Sequence, residues 1–218
     1  MMVRRTTAAL ALAAFGSLFT QFAAVAEAAP ATVEHSPPDL WTVPTAAADS
    51  ATIIVAFSFG NRIPAGMDAT REVGEPGPVN EQLAAAVVDT RGDRGIPVYA
   101  QTEIAEVLRS RYHMADVISI DPDRAADGTL VYLSTDGVAA KVAALRGGSV
   151  SSDAAAVVAF RDHQWRATRT TAEHGFHAFA PAGVVMPETY DPESGQPWTR
   201  SALAYLPTDF LGRLALSR

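Results

Sequence analysis

From residue 51 onward the apolar positions of this chain alternate between two patterns. "ATIIVAFSF" (51–59) is a continuous, partly β-branched run, as expected of a strand buried on both faces. "VNEQLAAAVVDTRG" (79–92) then sets Leu83, Val87 and Val88 at helical spacing and stops at Gly92. The alternation continues with a strand at 96–100, a helix at 101–113 with Ile104, Val107 and Leu108 on one face, and a strand at 116–120. A helix at 134–148 begins with hydroxyl and acidic capping residues and ends on a glycine pair. A strand at 154–160, a helix at 163–175 with Asp162 at its N-cap, and a strand at 176–182 complete the series. The pattern predicts an α/β fold: a Rossmann-like, doubly wound, mainly parallel five-stranded sheet with helices on both faces. Ligands of such sheets bind beyond the carboxyl ends of the strands, where strand order reverses. With the order 3-2-1-4-5, the loops after Phe59 and Phe160 face each other across that crevice.

The ends of the chain read differently. Residues 1–28 combine Arg4 and Arg5 with an apolar stretch from Ala8 to Ala26 and a small-x-small close, the layout of a secretory signal peptide. Export to a periplasmic or other extracytoplasmic space follows, or membrane anchoring if the segment is not cleaved. Residues 29–50 are rich in Pro, Ala and Ser and read as a linker that gains structure, if anywhere, near Leu40-Trp41. The Rossmann-like domain is expected over 51–185 and a C-terminal extension over 186–218. The extension should close with an amphipathic helix whose Leu203, Leu206, Phe210, Leu211 and Leu214 pack on the domain, or against an envelope partner.

Composition narrows the chemistry. Cleavage after residue 28 would leave 15 of 17 basic and 23 of 24 acidic side chains, a net charge of −8. So acidic a chain gains nothing from counterion release, which excludes general nucleic-acid binding. It has no cysteine, hence no thiol chemistry or Cys-ligated zinc. His174 and His177 lack a third ligand nearby, and no metal is expected. No G-x-G-x-x-G follows the first strand, and P-loop and G-x-S-x-G motifs are missing.

Candidate site residues cluster at the strand ends. Arg161, His163 and Arg166 surround the first turn of the 163–175 helix, where free N–H groups attract anions. His163 and Arg166 are three apart and share a face; a solvated basic helix end is the competing reading. Trp165 is expected to pack inward. Asn61 and Arg62 leave the first strand into a loop dense in Gly and Pro, of a length that is functional or disordered. Glu103 stands just after the second strand, where it either serves catalysis or favours the helix dipole. Ser134 and Thr135 open a helix; capping explains them, and ligand contact is the alternative.

The order of "QTE" (101–103), "YLST" (132–135) and "DHQWRA" (162–167) resembles the SanA/YdcF/ElyC-like family of bacterial envelope proteins. The likeness spans roughly residues 51–182 and is carried most specifically by His163, Arg166 and Ala167. It departs from the family pattern at Tyr99-Ala100-Gln101, where a Ser-Gly-Gly turn is usual, and around Ser134–Lys141, so the chain resembles a divergent member. The resemblance implies a Rossmann-like core, a role in the cell envelope that includes peripheral membrane or envelope association, and a nucleotide-like ligand such as S-adenosylmethionine.

These residues lead to one expectation with two alternatives. The pocket would bind or act on a small anionic, phosphate- or carboxylate-bearing metabolite as a hydrolase or transferase. His163 and Glu103 would be catalytic, and Arg166, Arg62, Asn61, Ser134, Thr135 and Arg161 would bind the ligand. The alternatives are a non-catalytic envelope binding module and an S-adenosylmethionine-binding protein. Oligomeric state is not legible in the chain.

Overall fold

A computed structural model describes residues 40–217. The signal segment expected over 1–28, and residues 29–39 of the expected linker, lie outside the described residues.

The apolar runs form the expected strands, each shorter than its run. They are β2 (Ile53–Ala56), β3 (Val98–Gln101), β4 (Ile118–Ile120), β7 (Ala154–Val158) and β8 (His177–Ala182). The helices between them are α1 (Gly77–Arg91), α2 (Thr102–Ser110), α3 (Thr135–Arg146) and α4 (Gln164–Glu173). The main sheet has six strands rather than five. The addition is β1 (Thr45–Ala47), drawn from the stretch read as linker and paired in parallel with β8 through Thr45↔Ala180 and Ala47↔Ala182. Its three short residues carry no apolar period, so nothing in the hydrophobic pattern marks them. The strand order is β1-β8-β7-β2-β3-β4, all parallel, which contains the expected 3-2-1-4-5 order with β1 added at the edge. The short antiparallel pair β5 (Asp123–Arg124) and β6 (Leu130–Val131) occupies the stretch between β4 and α3.

Period-two alternation divides the core into two layers. Ile54 and Ala56 face α1 and α2 through Leu83, Val87, Ile104 and Leu108. Ile53 and Val55 face α3 and α4 through Val138, Val142 and Ala167. The fold is therefore Rossmann-like and doubly wound. The chain runs from β2 outward to β4 and returns through α3 to β7 on the other side of β2. The switch point lies between β2 and β7, which pair from Ile53↔Ala155 to Ala56↔Val158.

Two side-chain amides fix the turn that leaves β2. Asn80 on α1 accepts from Phe59 N–H (2.9 Å) and donates to the carbonyls of Gly60 (2.8 Å) and Pro76 (2.6 Å). Gln101, at the end of β3, accepts from Ser58 N–H (2.9 Å). Gln164 does the same for β7, accepting from Ala159 N–H and donating to Val157 C=O. Asp162 is not the side-chain cap of α4: its carboxylate accepts from Tyr190 Oη (2.7 Å), and a 3-10 turn over Arg161–His163 leads into the helix.

The last helix, α5 (Ala202–Leu216), docks on the domain by the face opposite to the expected one. Tyr205 and Asp209 are buried, and Leu203, Leu206, Phe210, Leu211 and Leu214 are exposed. The buried pairing of Asp209 with Arg166 and Arg213 decides this orientation, because ionised groups taken out of water must be paired.

Because Asn80 is fully buried and satisfies buried backbone groups, Asn80→Ala should lower stability by about 2–4 kcal/mol. Urea unfolding checks this, with an unchanged denaturant slope expected.

Candidate active site at the sheet switch point

Beyond the carboxyl ends of β2, β3 and β7 lies a pocket of about 400 Å³. Four chain segments line it: Phe57–Gly60 after β2, Gln101 after β3, Tyr132–Thr135 before α3, and His163 with Arg166 at the start of α4. The C-terminal extension closes the remaining side with Gln196, Trp198, Thr199 and Tyr205. Of the residues singled out in the sequence, His163, Arg166, Ser134 and Thr135 meet here.

The others stand elsewhere. Arg62 turns to the extension, where it pairs with Asp191 (Nε–Oδ2 2.5 Å, Nη2–Oδ1 2.8 Å) and Glu193. Arg161 is exposed and pairs with Glu188 and Asp162. Neither arginine is among the pocket-lining residues. Asn61 is buried behind the wall, donating from Nδ2 to Tyr132 Oη (3.1 Å), while its backbone carbonyl accepts from Gly195 N–H (2.7 Å). Glu103 is buried and does not line the pocket. Burial pushes its carboxyl above the usual range, opposed in part by its own backbone and by Ser58.

His163 sits at the centre of a hydrogen-bonded chain that runs into α5. Its Nδ1 is 2.7 Å from Tyr205 Oη, which lies 3.2 Å from Asp209 Oδ1 and accepts from Arg166 Nη2 (2.8 Å). The phenol has one proton, and a carboxylate held between two guanidiniums can only accept. Tyr205 therefore donates to Asp209, and His163 Nδ1–H donates to Tyr205. That leaves the lone pair of the ring on Nε2. This atom is 3.5 Å from Thr135 Oγ1, too far for a firm hydrogen bond. Thr135 Oγ1 itself accepts from Arg166 Nη1 (2.9 Å). Burial, reinforced by Arg166 and Arg213, holds the imidazole well below its ordinary pKa of 6.5, so the ring is neutral at physiological pH. Burial likewise pushes the Tyr205 phenol up and keeps it protonated. A neutral imidazole with a free lone pair beside one guanidinium can take a proton from a hydroxyl or water and can hold an anion close by.

Aromatic side chains hold the ring in place. Phe59 stacks on Phe160 at 4.1 Å and meets Tyr205 edge-on at 4.8 Å, and Phe57 meets His163 edge-on. Trp165 is buried as expected, with the Arg213 guanidinium over its ring at 5.4 Å.

Tyr205, Asp209, Gln196, Trp198 and Thr199 were not legible as site residues. All belong to the extension, beyond the strand–helix repeat on which the sequence argument rests. A Tyr and an Asp at helical spacing (205 and 209), on the polar side of an otherwise apolar helix, are the one signal that marks the pair.

A nucleotide or S-adenosylmethionine does not fit over the first turn. Gly60 is left-handed (φ 73°), and a Cβ placed on it would meet Ser194 Oγ at 2.5 Å and Thr199 Oγ1 at 2.8 Å. The space above the turn, where a dinucleotide fold approaches its ligand, is taken by the extension. Among the described residues, no group of three or more His, Asp and Glu stands together as metal ligands. Comparison of the chain with protein-family models, curated proteins and solved structures finds no match.

Two outcomes follow for the His163 network. In the unfolded chain this imidazole takes up its proton near 6.5, while the folded protein keeps it neutral to a lower pH. Below 6.5 the unfolded state binds more protons, so the contribution of His163 to stability is present above that pH and is lost as pH falls toward the folded pKa. The slope is at most about 1.4 kcal/mol per pH unit. Glu103 titrates in the opposite sense, so the measurement is the difference between wild type and His163→Gln in urea unfolding from pH 7.5 to 5. Second, Tyr205→Phe removes the acceptor of the Nδ1 proton. Nitrogen-15 NMR of the imidazole should find the proton on Nδ1 in the wild type and moved largely to Nε2 in the variant.

Proposed function

We propose that this chain is an exported, SanA/YdcF-like envelope protein that binds a small ligand carrying one anionic group and acts on it by hydrolysis or group transfer, with His163 as the general base. One observation carries the reading: Arg166, the Thr135 hydroxyl and His163 face a single pocket at the switch point of the sheet. Arg166 is the only Lys or Arg among the lining residues, which favours a single phosphate, carboxylate or sulfonate over a polyphosphate. With that group held by the guanidinium, Nε2 of His163 takes the proton of an attacking water or hydroxyl and returns it to the leaving group. Electrostatic stabilisation by Arg166 opposes the developing negative charge. Tyr205 and Asp209, not Glu103, orient the histidine. The His-x-x-Arg-Ala resemblance supports the same reading, because His163 and Arg166 are its most specific residues. A non-catalytic binding module is the second reading, favoured by the placement of Glu103 outside the lining.

The test is a thermal-shift and turnover screen with inorganic phosphate, isoprenoid monophosphates, carboxylates and chromogenic phosphate and acyl esters. A ligand at a hundred times its Kd should add about 2.7 kcal/mol, or roughly 5–10 °C in Tm. Thr135→Val, which spares the buried ion pair, should weaken that shift at least about tenfold in apparent Kd, the loss of about one charge-assisted hydrogen bond. His163→Gln should abolish turnover while retaining the shift. A shift retained with no wild-type turnover of any ester would favour the binding module. The absence of any shift with these monoanions would overturn both readings.

A further inference from the structure

Helix α5 is built inside out. At 100° per residue, its inward arc carries Tyr205, Asp209 and Arg213, all committed to the network around His163. The outward arc, about 140° wide at that spacing, carries Leu203 (87 % exposed), Leu206 (44 %), Phe210 (44 %), Leu211 (66 %) and Leu214 (37 %). The only charged residues of the helix, Asp209 and Arg213, are turned inward, so no charge interrupts the outward arc. One tryptophan extends the apolar surface: Trp41 is 71 % exposed and stacks on Phe210 at 6.4 Å. The domain's own core accounts for the inward arc and leaves the outward one unexplained, and a contiguous apolar patch of this kind marks an interaction surface.

We propose that the outward arc of α5 rests in the interfacial plane of a lipid bilayer. A helix with a wide, uncharged apolar arc over a polar one has the form that lies along a membrane surface. An indole ring at its margin favours the headgroup level, where one edge of the ring is dry and the other wet. The point at which the chain joins the fold supplies the third argument. The Leu40 carbonyl accepts from Arg213 Nη1 (2.9 Å), so the described chain starts against α5 itself. Upstream lies the apolar run Ala8–Ala26, separated from Leu40 by thirteen residues that reach at most about 45 Å when extended. A segment suited to entering a membrane thus precedes, in the sequence, the point where Leu40 meets α5. With a chain charge of −7 and no cation on the outward arc, the surface is zwitterionic rather than anionic.

The absence of cysteine makes the test clean. Leu211→Cys on α5 and Leu145→Cys, an exposed position on α3, are each introduced into the full chain. Each is labelled with nitrobenzoxadiazole and mixed with phosphatidylcholine vesicles containing doxyl-labelled lipid. The label at 211 should lose roughly half its emission and the label at 145 almost none, the contrast expected of a face seated in the interface. Equal quenching at both positions, or none at 211, overturns the proposal. So does a lipid-free blue shift at 211 that grows with protein concentration, which assigns the face to a second copy of the chain. A lipid-free blue shift independent of concentration, and lost when residues 1–28 are removed, assigns it instead to the apolar run.

Discussion

The carboxylate of Asp209 holds the functional end of this molecule together. It is almost fully buried; Arg166 turns toward it from α4, and Tyr205 and Arg213 from one turn on either side within α5. A buried charge is tolerated only when its partners are complete, so these residues form a unit that cannot be rearranged piecemeal. Arg213 ties the unit to the backbone at Leu40 and Asp162, and Tyr205 ties it to His163. The placement of α5, the wall of the pocket and the orientation of the imidazole are thus three consequences of one ionic cluster. The turn after β2 is set separately, by the amides of Asn80 and Gln101, and faces the cluster across the pocket.

The cluster also explains why the site differs from a simple cationic notch. In the sequence, Arg161, Arg166 and Arg62 read as three arginines available to an anion. Arg62 and Arg161 instead pair with Asp191, Glu193 and Glu188, all supplied by the extension. An acidic chain has enough carboxylates to neutralise most of its surface cations, and the long extension brings them within reach. Arg166 alone remains at the pocket, itself partly balanced by Asp209. The neutral state of His163 follows from the same arrangement, since burial and two neighbouring guanidiniums both disfavour the imidazolium.

How much of this was legible depends on the range of the interaction. The strands, the helices and the switch point follow from local periodicity, which Ile53–Ala56, Leu83 with Val87, and Ala154–Val158 display without ambiguity. His163, Arg166, Ser134 and Thr135 could be placed because the parallel topology alone carries them to one edge of the sheet. Strand β1 was hidden, because Thr45–Ala47 has no pattern of its own and is held by the edge of β8. The orientation of α5 was hidden for a stronger reason. Hydrophobicity places Leu203, Leu211 and Leu214 inward, and only the pairing of Asp209 with Arg166, a residue 43 positions away, reverses the helix. Long-range ion pairs leave no trace in a local pattern.

Strand β1 has a mechanical consequence. Among the described residues it is the first element of the chain, and it lies parallel to β8 at the rim of the sheet. A pull transmitted along the leading segment would load the Arg213–Leu40 contact first and then draw on the three β1–β8 residue pairs in shear, strand against strand, before reaching the sheet interior. The ionic cluster behind the pocket wall and the point of mechanical attachment would then share a single guanidinium. Tension on the chain before Leu40 would reach the imidazole through Arg213, Asp209 and Tyr205.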